Sequence, residues 1–218
     1  METKNIMIVG VGGQGTLLAS KLLGRMLLTA GYDVKVSEVH GMSQRGGSVV
    51  TYVRWGDKVY SPIIDKGQAD FILSFELLEA ARWTEYLKLG GKLITNTQQI
   101  NPMPVITGAA AYPQDLEAKM AAAGVDLDAI DALALAEEAG SSKAVNIVLM
   151  GRLSKWFDFP EEQWLTHRGE RAPQVPGDEQ KGLPPGAGSV SCQRMKKPAE
   201  AMPPPGEETS TPPLSSAG

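Results

Sequence analysis

The sequence predicts an α/β fold: a single doubly wound, mostly parallel sheet carrying a β-hairpin insertion, followed by a disordered C-terminal tail. Three observations carry that expectation. Short apolar runs alternate with helical patterns up to about Leu165, which is how the strands and crossover helices of a parallel sheet read in sequence. The first run, "NIMIVG", breaks into the glycine turn "GVGGQG" and then into a helical period. Ten of the 15 prolines fall after Thr166, among runs such as "PPPGEETSTPPLSSAG", and such a segment buries too little apolar surface to offset its ordering entropy. The expected division is therefore a domain at 1–165 and a tail at 166–218.

Taken in order, "NIMIVG" is a buried strand and Gln14 to Ala30 a helix with apolar positions at Leu17, Leu18, Leu22, Met26 and Leu27. "YDVKVSEV" is a second strand that completes a βαβ unit. After a polar loop at His40 to Gly46, "SVVTYVRWGDKVYSPII" alternates and predicts a hairpin with Gly56 and Asp57 at its corner. "ADFILSF" is a buried strand, Glu76 to Leu87 a helix, and "GGKLITN" a strand. "YPQDLEAKMAAAG" is a helix, "VDLDAID" a short strand and Ala132 to Glu138 a helix. "SSKAVNIVLMGRLSKWF" is a long apolar helix, and Pro160 opens another.

Composition narrows the function classes. A chain of 218 residues supports one domain with a substantial core, and its net charge of −4 with scattered basic residues carries no sign of a nucleic-acid partner. No apolar run approaches the roughly 18–20 residues that cross a bilayer, and the N-terminus lacks a signal-peptide pattern, so a cytoplasmic protein is expected. The single cysteine, Cys192, excludes an intramolecular disulfide, an iron–sulfur cluster or a cysteine-rich zinc site held by this chain alone. No metal site is expected here.

Gly10, Gly12 and Gly15 fit the dinucleotide-binding spacing between a strand and a helix, and with Gly13 they form a turn whose backbone can approach a phosphate. Glu38 lies about 20 residues on, where a ribose-binding carboxylate is expected. The alternative is a turn that only permits tight strand-to-helix packing. The next stretch, "SEVHGMSQRGGSVVTYVRWGDKVYSPII", weakens a nicotinamide-cofactor reading, because the second strand exits through a polar loop where a crossover helix is due.

The pairing of "GVGGQGTLLASKLLG" with that stretch resembles the gamma-type subunits of the 2-oxoacid:ferredoxin oxidoreductases, and within them the indolepyruvate branch. The resemblance covers roughly Lys4 to Leu165, including "ADFILSFELLEAAR" and "GSSKAVNIVLMGRLS". It implies one subunit of a complex that oxidatively decarboxylates arylpyruvates to aryl-acetyl-CoA and passes electrons to ferredoxin. Thiamine diphosphate, magnesium and 4Fe-4S clusters are then expected on a large alpha subunit, none on this chain, and the isolated chain is expected to be inactive. A gamma subunit of another 2-oxoacid:ferredoxin oxidoreductase, or a self-contained NAD(P)-binding oxidoreductase, are the alternatives.

Within this frame the candidate site comprises Gly10, Gly12, Gly13, Gly15, Gln44, Arg45, Gly46 and Gly47, at an interface with the partner or with CoA. His40 and Arg45 are the catalytic candidates. An imidazole titrates near neutrality, though it can equally fix its own loop. A guanidinium clamps phosphate or carboxylate, though a salt bridge between subunits is an equal alternative. Ser43 and Ser48 are hydrogen-bonding candidates that can instead satisfy local backbone. Tyr52, Trp55 and Tyr60 are either an aromatic docking patch or core.

The resemblance stops near Thr166, where a terminal helix is expected. Read one nucleotide later, the codons of Gln174 onward permit Lys, Phe, Leu, Glu, Met, Asn, Lys, Lys and Ala in succession, a pattern like the family's terminal helix. A frameshift near Thr166, or a genuine disordered linker, are the two readings of the tail.

Overall fold

The computed structural model describes residues 2–40, 47–160, 162 and 164. Its elements run β1 (Lys4–Val11), α1 (Thr16–Thr29), β2 (Asp33–His40), β3 (Ser48–Gly56), β4 (Ala69–Ser74), α2 (Leu77–Arg82), β5 (Leu87–Asn96), α3 (Met103–Ile106), α4 (Leu116–Ala122), β6 (Asp126–Ile130), α5 (Ala132–Glu138) and α6 (Val145–Leu153). The six strands form one sheet in the order β2-β3-β1-β4-β5-β6. β1, β4, β5 and β6 are parallel neighbours, while β3 lies antiparallel between β1 and β2. The doubly wound α/β expectation holds.

β1 shows why a continuous apolar run was needed. Ile6 and Ile8 pack with α1, α5 and α6 on one face, Met7 and Val9 with α2 and α4 on the other, and all four are fully buried. A strand covered on both faces cannot alternate apolar with polar. β2, at the sheet edge, is correspondingly looser, with Val36 and Val39 exposed.

Two expectations are corrected. β1, α1 and β2 do not form a simple βαβ unit, because β3 is inserted between the two strands. The hairpin is formed by β2 and β3 and not around Gly56 and Asp57. The reason is that β3 already has partners on both edges, so residues after Asp57 have no ladder to join. They form a loop instead, held where the Arg54 guanidinium donates to the carbonyls of Ser61 (3.0 Å) and Ile63 (2.8 Å).

The expected Glu76–Leu87 helix ends at Arg82 and continues as a 3₁₀ turn, Thr84–Tyr86. α3 was not anticipated, and α6 is shorter than its apolar run because 3₁₀ turns flank it. Past α6 the chain lays Phe157 and Phe159 onto the first face: Phe157 stacks on Trp55 (5.5 Å) and Phe71 (5.3 Å), and Trp164 meets it edge-on (5.6 Å). Glu162 and Trp164 are helical, where Pro160 predicted a helix start.

Candidate functional site

Ligands of open parallel sheets sit beyond the carboxyl ends of the strands. Here that edge collects the glycine turn after β1, the start of β3, and the connections after β4, β5 and β6.

The glycines of the turn do different jobs. A Cβ at Gly10 would fall 2.9 Å from Gln14 Oε1, 3.0 Å from Phe75 Cβ and 3.1 Å from Thr16 Cγ2, so this glycine serves close packing. Gly13 and Gly15 have φ of +94° and +89°, a region L side chains avoid, and Gly15 caps α1. Nothing lies within 4 Å of a Cβ built at Gly13, so that side of the turn is open. The Gly12 amide donates to the Gly47 carbonyl (3.0 Å), tying the turn to the residue that precedes β3.

Side chains join these connections. Gln14 accepts from the Val11 amide (2.7 Å) and donates to the Phe75 carbonyl (3.0 Å) and to Gln98 Oε1 (3.0 Å), linking the ends of β1, β4 and β5. Glu76, 1 % exposed, accepts from the Glu79 amide (2.8 Å), the Ile100 amide (3.1 Å) and the Tyr112 hydroxyl (2.6 Å). It therefore caps α2 while holding the β5–α3 connection and the segment before α4. Burial, and then the bond to Glu76, push the Tyr112 hydroxyl well above the usual tyrosine range, so it stays a donor. Glu79, also buried, accepts from Ser48 Oγ at the head of β3 and from Trp83 Nε1 (3.2 Å), with Arg82 Nε 3.6 Å away.

The sequence-derived candidates divide accordingly. Gly10, Gly12, Gly13, Gly15 and Gly47 converge at the carboxyl edge. His40 ends β2, its backbone registered with Val49. Ser43, Gln44, Arg45 and Gly46 lie outside the described residues. Ser48 belongs to the buried network and does not merely satisfy local backbone. Glu38 is displaced from the turn, because β3 separates its strand from β1 by two strand spacings, about 10 Å. This inserted strand removes the geometry of a ribose-binding carboxylate. The aromatic docking patch does not form. Trp55 is a core residue stacked on Phe157, Tyr52 is half-buried, and Tyr60 projects into solvent beneath Lys58.

Glu76, Glu79, Gln98 and Tyr112 were not anticipated. The available signal was the spacing of Glu76 and Glu79 directly after the apolar run of β4, a pattern that caps a helix at a carboxyl edge. Among the described residues no three His, Cys, Asp or Glu side chains gather as a metal site, and no helix is long and apolar enough to cross a membrane.

A sheet of this order, with an antiparallel strand inserted beside β1 and a glycine turn at its carboxyl edge, has the gamma-subunit fold of oxoacid:ferredoxin oxidoreductases. The gamma subunit of a keto/oxoacid ferredoxin oxidoreductase from Geobacter sulfurreducens aligns with TM-score 0.55 and 21% identity, over 78% of this chain and 87% of that one. The 2-oxoglutarate:ferredoxin oxidoreductase of Magnetococcus marinus, solved with 2-oxoglutarate, coenzyme A and succinyl-CoA, aligns with TM-score 0.58 and 19% identity, over 77% of this chain and 26% of that one.

The chain belongs to the pyruvate ferredoxin/flavodoxin oxidoreductase family, whose model matches residues 5–174. It is 51% identical over 168 residues, 75% of this chain and 83% of the relative, to indolepyruvate oxidoreductase subunit IorB of Thermococcus kodakarensis. The family match runs past the Leu165 boundary expected from composition.

Proposed function

We propose that this chain is the small, IorB-type subunit of a cytoplasmic indolepyruvate:ferredoxin oxidoreductase. The reaction takes an arylpyruvate, CoA and two oxidised ferredoxins to aryl-acetyl-CoA, carbon dioxide, a proton and two reduced ferredoxins; carbon dioxide departs without the bonding electron pair, which stays on the former keto carbon and passes to ferredoxin one electron at a time. The observation that carries this reading is the 51% identity to an indolepyruvate oxidoreductase subunit across most of both chains. Thiamine diphosphate, magnesium and 4Fe-4S clusters belong to the large alpha subunit in this reading. The donor set agrees, since one cysteine cannot supply the thiolates of a cluster. Bound there, thiamine diphosphate supplies the electron sink for decarboxylation.

This chain contributes a rigid edge. Gly12, Gly13, Gly15 and Gly47 present backbone at the ends of β1 and β3, His40 ends β2, and Gln44, Arg45 and Gly46 lie in sequence between β2 and β3. The edge faces the alpha subunit's active site and incoming CoA, with Arg45 as an anion clamp and His40 as a proton or hydrogen-bond donor.

Co-expression with the large subunit tests the reading. CoA-dependent ferredoxin reduction is expected only with both chains present, and faster with indolepyruvate than with pyruvate or 2-oxoglutarate. A preference for either of those overturns the substrate assignment, and activity of this chain alone with NAD(P) overturns the whole. Arg45→Ala is expected to lower turnover about tenfold, the order of one charge-assisted bond, without dissociating the subunits. Unchanged turnover removes Arg45 from the site.

The tail belongs to the same reading as the product of a shifted frame. The family-like residues that the next frame permits from Gln174 support it, while the family match in the present frame, which runs to residue 174, favours a shift near that residue over one near Thr166. Resequencing the codons of Leu165 to Gln174 decides the matter; an uninterrupted frame leaves a genuine tail.

A further inference from the structure

We infer that Glu79 is a positioning residue: through Ser48 it sets where β3 begins against the glycine turn, and so shapes the edge offered to the reaction. The inference rests on the subunit reading above for its catalytic consequence, but its structural core stands on three contacts. The Gly12 amide donates to the Gly47 carbonyl (3.0 Å), the next residue's hydroxyl, Ser48 Oγ, donates to Glu79 Oε2, and Val11 pairs with Ser48 across the ladder. The turn and the head of β3 are thus joined by backbone, and Glu79 is the side chain that anchors the joint to α2.

The anchor is itself immobilised. Glu79 is 5 % exposed, its amide is capped by Glu76, and its carboxylate also accepts from Trp83 Nε1 (3.2 Å). A buried acceptor in a preset position orders its donor at little further entropic cost. A fold that needed only stability there had a simpler solution, an apolar pair at positions 48 and 79, since replacing both partners of a buried bond by apolar groups is often neutral. A carboxylate aimed at the first residue of β3 instead gives direction, which apolar packing does not.

The test uses Ser48, whose hydroxyl removal is milder than loss of the buried carboxylate. In the complex reconstituted with its large subunit, Ser48→Ala is expected to lower kcat/KM with CoA about tenfold while the melting temperature and subunit association change little. Ser48→Thr, which keeps the hydroxyl, is expected to restore it. Native-state amide exchange of the full chain is expected to quicken at Gly12 in Ser48→Ala and return to the wild-type rate in Ser48→Thr. Unchanged Gly12 exchange in Ser48→Ala overturns the positioning, whatever the activity. Equal activity loss in Ser48→Ala and Ser48→Thr overturns it as well. A wild-type chain that fails to support turnover with the large subunit overturns the functional reading instead, and the exchange result still decides the structural one.

Discussion

The two edges of the sheet each bury carboxylates, and they hold them differently. At the amino edge Asp70, 7 % exposed, accepts from the Asn5 amide (2.8 Å) and pairs with the ammonium groups of Lys4 and Lys88, both of which reach solvent. At the carboxyl edge Glu76 is held by neutral donors alone among the contacts described, two amides and a phenol. The amino edge closes on charges that water and salt can reach, and it ties strand starts together. At the carboxyl edge Glu76 ties loops through uncharged partners, and only its neighbour Glu79 has a cation near it, the Arg82 guanidinium at 3.6 Å, among the described contacts. The difference teaches that this fold holds Glu76, among the loops of the carboxyl edge, by directional bonds screened from water, and Asp70, among the strand starts, by bonds that tolerate water and salt.

The largest expected effect that sharpens the comparison is Glu76→Ala. It strips the cap of α2 and leaves the Ile100 amide and Tyr112 hydroxyl without an acceptor, a loss of about 3 kcal/mol in urea unfolding. Asp70→Asn is expected to cost less, about 1–2 kcal/mol, because its lysine partners are exposed. Its cost should shrink further near 1 M salt, where the Debye length is about 3 Å, while that of Glu76→Ala does not. Equal salt dependence of the two would break the comparison.

The smallest effect is Tyr112→Phe, about 1 kcal/mol at neutral pH for one lost hydrogen bond. Here pH adds a second handle. The folded Tyr112 hydroxyl titrates above its ordinary value of 10.0. The resulting stability is complete below that value and is lost as pH rises through the folded one, because the unfolded chain ionises first. Thermal melts of the two proteins are therefore expected to converge above pH 10. A constant gap would mean that Tyr112 is not held protonated by burial and Glu76.

Where local pattern suffices, the sequence reading matched. Ala132–Glu138 is a helix with the expected bounds, and its Asp131 side chain caps the Ala134 amide (2.9 Å). "ADFILSF" is β4 almost to the residue, because an apolar run between turns has few alternatives. The hairpin failed for the opposite reason. Gly56 and Asp57 are good turn residues, but whether a strand can follow them depends on whether β3 has a free edge, and β1 from far upstream occupies it.

By itself, then, the sequence determined that strands and helices alternate, that β1 is buried on both faces, and that a glycine turn stands between β1 and α1. Hydrophobic period and glycine's backbone freedom are local properties. Only the tertiary structure decided that β3 lies between β1 and β2, which carries Glu38 away from the turn. It alone also brought together the polar network, because Ser48, the donor to Glu79, and Ile100 and Tyr112, donors to Glu76, stand 24 to 36 residues away in the chain. Which donors meet a buried carboxylate is fixed by sheet order and strand register, and no window of sequence contains either.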